Sequence, residues 1–139
     1  MSTFNSTSND VNRNQVAQSY YTVTGDILES DIGNDHNVAT DGLTIGLPLI
    51  TSGNLGMTVF FRNTGADANN KLVMSPKDSN KILGGITLAG SVVDASGVLG
   101  KDFINTKATS KTGDWCELRA VTLTEWYIVG SQGIWASEA

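Results

Sequence analysis

Charge is scarce in this chain, and so are cysteine, histidine and long apolar runs. Only 17 % of the 139 residues are charged, well under the roughly 25 % usual for soluble domains. The net charge is −5, and the nine Lys and Arg residues are scattered. Nucleic acid is thereby excluded as a main partner, because phosphate binding needs a basic patch. A single cysteine, Cys116, excludes an intrachain disulfide framework and any thiolate metal cluster. It falls at an inward strand position, where a thiol acts as a small apolar side chain. The one histidine, His36, has no Ser or Cys nucleophile near it in sequence. No apolar run approaches the ~18 residues of a membrane span, so no membrane partner is expected. No window holds a 3.6-residue period, which excludes helices longer than a turn or two. The start, MSTFNSTSND, lacks the basic and apolar regions of a secretory signal, which points to synthesis in the cytoplasm.

Ser, Thr, Asn and 15 glycines stand where the charge is missing. These residues favour turns and short strands, since their side chains compete with helical backbone bonds and Gly costs about 1 kcal/mol in a helix. Turn signals recur every 8 to 12 residues or less, the rhythm of a β-sandwich or barrel rather than of βαβ units. Strands are expected at Tyr20–Val23, within Gly42–Leu49, and at Gly56–Asn63 with Val59 and Phe61 inward. Further short ones are expected at Lys71–Met74, Lys81–Leu83, Ile86–Leu88, Ser91–Asp94, Val98–Leu99 and Phe103–Ile104. The polar stretch Asp31–Asn37 lacks the carboxylate spacing of a calcium loop. It reads as a turn using Asx side chains, with His36 solvated inside it.

The stretch Gly113–Trp135 holds all three tryptophans and reads as a closing hairpin. Cys116, Leu118 and Ala120 alternate with Glu117 and Arg119, the period of a half-buried strand, and Glu125–Val129 forms its partner. The connection Thr122–Glu125 has no residue suited to positive φ, so a longer loop is expected, with Leu123 projecting from it. Leu47, Val59, Phe61, Leu118, Trp126 and Ile128 are the expected core.

Met1–Ser19 is polar, with Phe4, Val11 and Val16 as isolated apolar residues. It cannot bury enough surface to offset its own ordering entropy. Residues 1–19 therefore read as an N-terminal arm and 20–139 as one domain, with one core.

Taken in order, TIGLP, GMTVFFRNTG, GGI, GDWCEL and EWYIVGSQGIW resemble a β module of tailed-bacteriophage virion proteins. The matching positions are Leu47–Pro48, Gly56–Asn63, Gly113–Asp114 with Leu118, and Trp126–Gly130. The likeness runs roughly from Thr22 to Ala136. It implies an all-β, antiparallel jelly-roll-like sandwich that assembles as a homotrimer, without enzyme activity, metal or cofactor. It also implies one of two roles in the virion. The favoured one is a capsid decoration (cement) protein, with the major capsid protein as partner. The alternative is a receptor- or glycan-binding fibre knob whose exposed aromatics, such as Trp115, Tyr127 or Trp135, stack on sugars. Phe4, Val11, Val16, Leu123 and Trp135 are the expected partner contacts. A polysaccharide hydrolase would need two carboxylates across a cleft. Asp114, Glu117 and Glu125 are the acids near the tryptophans, and none is singled out by context.

Overall fold

The computed structural model describes residues 15–88, 91–95 and 97–138. Thirteen short strands carry the described chain. They are β1 (Gln18–Tyr21), β2 (Gly25–Asp26), β3 (Asp35–Val38), β4 (Leu43–Gly46), β5 (Thr58–Asn63), β6 (Leu72–Ser75), β7 (Lys81–Leu83), β8 (Gly85–Leu88), β9 (Ser91–Asp94), β10 (Phe103–Asn105), β11 (Trp115–Ala120), β12 (Glu125–Gln132) and β13 (Trp135–Ser137). Helix is confined, among the described residues, to two 3-10 turns at Glu29–Asp31 and Lys107–Thr109.

Two sheets enclose one core, so the expected all-β sandwich is present. The six-stranded sheet runs β1-β3-β5-β11-β12-β7, and the five-stranded sheet β13-β10-β6-β4-β2. A two-stranded ribbon of β8 and β9 stands apart, with Ile86 of β8 joining the core. From β1 to β7 the chain changes sheet at every step. Each strand therefore returns to its own sheet in the same direction, and β1, β3 and β5 pair in parallel, as do β2, β4 and β6. This is the winding of a short two-sheet solenoid. The later strands close it: β11 lies antiparallel to β5, and β10 antiparallel to β6.

Strand direction departs from the antiparallel expectation. Among the described residues, five of the ten strand pairings are parallel. Side-chain alternation has a period of two in either direction, so the sequence pattern carries no record of strand direction. The inward faces follow the expected alternation. Val59 and Phe61 of β5, Cys116, Leu118 and Ala120 of β11, and Trp126 of β12 are buried against Leu72 and Met74 of β6 and Phe103 of β10. Leu47 is buried too, and Ile128 is half-buried against the same cluster. Cys116 Sγ lies 3.5 Å from Met74 Sδ across the sandwich. Burial, and secondarily Glu117, pushes its thiol pKa well up.

Three local expectations change. His36 lies in β3, fully buried, and not in a solvated turn. The turn ends at Asn34, whose N–H reaches the Asp31 carbonyl at 2.9 Å, and the next residues pair with β1 and β5. Val98–Leu99 is an exposed turn, because Gly97 and Gly100 on either side take positive φ values of 62° and 73°. Gln18 and Ser19, expected in the arm, begin β1.

Candidate functional site

Strand direction sorts the connecting loops between two ends of the sandwich. At one end lie 39–42, 64–71 and 106–114. Lys107 pairs with Asp41 at 2.6 Å and Lys111 with Asp67 at 3.6 Å. The Lys107 ammonium holds the Asp41 carboxyl below the usual range, and the Thr112 N–H does the same for Asp67. Beneath these pairs is a buried polar network. Asn63 donates to Asn105 Oδ1 at 2.6 Å, Asn105 donates to Asp114 Oδ2 at 3.1 Å, and Asn70 donates to Asn63 Oδ1 at 2.8 Å. The Asn63–Asn105 bond ties the six-stranded sheet to the five-stranded one, and the network satisfies its buried amides except Asn70 Oδ1.

The opposite end carries an aliphatic patch among charged neighbours: Lys77 pairs with Asp26 at 2.7 Å, Lys81 with Glu125 at 3.6 Å and Lys101 with Glu138 at 3.7 Å. Loops 49–56, 97–100 and 121–124 contain no charged residue. They expose Leu49, Leu55, Val98, Leu99, Val121 and Leu123, each between 47 % and 55 %. Asn80, itself buried, holds the three loops together. Its Oδ1 accepts from the Ile50 N–H at 3.1 Å, its Nδ2 donates to the Leu123 carbonyl at 3.4 Å, and its carbonyl accepts from the Gly100 N–H at 2.9 Å. Within its own loop Asn54 accepts from the Thr51 N–H at 2.7 Å and donates to the Leu49 carbonyl at 2.9 Å. The 121–124 connection is closed by Thr122, whose hydroxyl donates to Glu125 Oε1 at 3.0 Å. A cleft of about 330 Å³ opens beside this end, of mixed lining, with Ile27, Ile32, Pro48 and Leu49 facing Glu29, Thr51 and Asn54. Clustered exposed aliphatic side chains mark surfaces that meet a partner.

Of the expected contact residues, Leu123 lies on this aliphatic end. Val16 is exposed, two residues before β1. Phe4 and Val11 fall outside the described residues. Trp135 is corrected: it is fully buried, its ring stacked on Phe103 at 4.9 Å and its Nε1 donating to the Gln132 carbonyl. The β13 pairing with β10 turns it inward, and it is a core residue.

The titratable groups are dispersed. Asp114 is buried in the asparagine network, Glu125 faces Lys81 at 3.6 Å, and Glu117 stands on the outer face of β11. His36 Nε2 donates to the Ile32 carbonyl at 3.3 Å, since only an N–H can face a carbonyl. Its Nδ1 therefore accepts from the Tyr21 hydroxyl at 2.6 Å. Burial lowers the His36 pKa against the opposing pull of the Ile32 carbonyl, Asp31 and Asp35. Burial, with Asp31, pushes Tyr21 up to about 12. The pair is a strut between β1 and β3. Among the described residues no group of three or more His, Cys, Asp or Glu side chains is placed to hold a metal ion. No described helix is long and apolar enough to cross a membrane. No protein-family model matches this chain, and no curated protein matches its sequence.

Proposed function

We propose that this protein is a non-enzymatic structural subunit of a virion: a capsid decoration protein that binds the head surface as a homotrimer through its aliphatic end. The observation that carries this reading is the group of three uncharged loops gathered at one end of the sandwich. Three uncharged loops, pinned by Asn80, present six aliphatic side chains on one side. The ion pairs Lys77–Asp26, Lys81–Glu125 and Lys101–Glu138 stand at the same end, so charge bounds the patch. A rigid body with one apolar foot suits a protein whose task is attachment. The sequence resemblance to phage virion modules adds the shell, the major capsid protein, as the surface that the foot meets. Three copies around a closed cyclic axis would bring three feet to one site, and avidity would multiply weak single contacts.

The test is copy number in purified particles together with rebinding to bare shells. Hundreds of copies per particle, and rebinding that is lost in Leu49→Asp and Leu123→Asp, are expected. A dozen or so copies would give the protein to a fibre or tail tip instead.

A further inference from the structure

The outer face of the six-stranded sheet carries a second surface, remote from the loops of the aliphatic end. Trp115 of β11 lies 5.5 Å from Phe60 of β5, the rings within 20° of parallel. Arg62 places its guanidinium carbon 4.8 Å from the Phe60 ring centre, and is itself held by Asp35 at 3.4 Å and Asn37 at 3.1 Å. On the other side Gln132 accepts from the Trp115 indole N–H at 3.3 Å. The indole settles low because Gly130 faces it: a Cβ there would stand 3.1 Å from the ring. A bulge between Glu117 and Leu118 brings Gly130 to this position opposite Glu117. The rings are thus held in place before any ligand arrives.

Around the rings stand planar polar groups on neighbouring strands: Asp35, Arg62, Glu117 and Gln132. Asp35 and Glu117 balance Arg62 and Arg119, so the face has formal charge zero while the chain carries −5. That balance selects the ligand class. A polyanion needs surplus positive charge, and a peptide docking along a sheet needs a free edge, whereas β5 and β11 are central strands. A neutral sugar asks for an aromatic ring under its C–H face and planar side chains able to take two hydroxyls at once.

We infer that this face, centred on Trp115 and Phe60, is a binding site for a neutral oligosaccharide. The site develops the glycan-binding alternative read from the sequence, keeping Trp115, leaving out the buried Trp135 and adding Phe60, and it does not depend on attachment to a shell. Trp126 and Trp135 are fully buried, so a ligand-induced change in tryptophan emission reports Trp115. The experiment titrates the full chain with cellohexaose, maltohexaose, chitohexaose and mannohexaose, following emission and heat. At least one should bind with a dissociation constant of roughly 0.1–1 mM, within the weak range of specific association. Trp115→Ala should abolish the response. Glu117→Ala, which leaves the ring pair intact, should weaken binding about tenfold without changing the thermal midpoint by more than a degree or two. No response to any of the four sugars at about ten times that concentration would overturn the inference. So would a concentration-dependent change in Trp115 emission without sugar, which would give the face to a second copy of the chain.

Discussion

Replacing Asn80 by Ala tests whether one buried amide organises the aliphatic end. The substitution removes two side-chain bonds, from the Ile50 N–H and to the Leu123 carbonyl. Ile50 is buried, with 5 % of its surface exposed, so its N–H is left without a partner and costs about 1–3 kcal/mol. The bond to Leu123 is long and half-exposed, and adds roughly 0.5 kcal/mol. The Gly100 bond uses the Asn80 carbonyl and survives. The total is about 1.5–3.5 kcal/mol, a large share of the 5–15 kcal/mol typical of whole domains. Urea unfolding should show the midpoint falling with the slope unchanged. Hydrogen exchange should show loops 49–56 and 121–124 losing protection first, with β5 and β11 retaining theirs. A loss below about 0.5 kcal/mol, or protection lost equally throughout, would refute the idea that Asn80 is the tie.

Phe61→Ala and Trp126→Ala should each cost roughly 3–5 kcal/mol in the same assay, since both side chains are fully buried. Under native conditions Cys116 should resist a thiol reagent until the protein unfolds, because the thiol is buried and its pKa is raised. For His36 the folded pKa lies below the ordinary 6.5, so the folded state binds fewer protons than the unfolded one. Stability is then full above about pH 6.5 and falls as the pH drops below it. His36→Gln should flatten that limb of the stability–pH curve. Tyr21, at about 12, gives the mirror effect, with stability lost between about pH 10 and 12. Removing residues 1–14, which precede β1, should weaken shell binding less than Leu123→Asp does, as the proposed attachment uses the loops.

Much of the fold is legible because half-buried strands write their faces into the sequence. Val59, Phe61, Cys116 and Leu118 alternate with polar or amphipathic neighbours, and all four are buried. Strand direction leaves no such mark, and with it goes the sorting of loops to ends. Leu123 can be recognised as a projecting residue from its turn alone. Its company with Leu49, Leu55 and Leu99 depends on which strands run parallel, a long-range property. His36 is misread from sequence because a stretch rich in Asp, Asn and Gly reads as a turn, while the parallel pairing of β3 with β1 and β5 overrides that local preference. Trp135 reads from the sequence as a partner contact, yet its pairing with Asn105 turns it into the core.

Hydrogen exchange on the protein free and bound to assembled shells tests the central claim most directly. Attachment through the aliphatic end predicts new protection concentrated in 49–56, 97–100 and 121–124, with 64–71 and 106–114 exchanging as in the free protein. Protection confined to 64–71 and 106–114, or no difference between the two states, would contradict it.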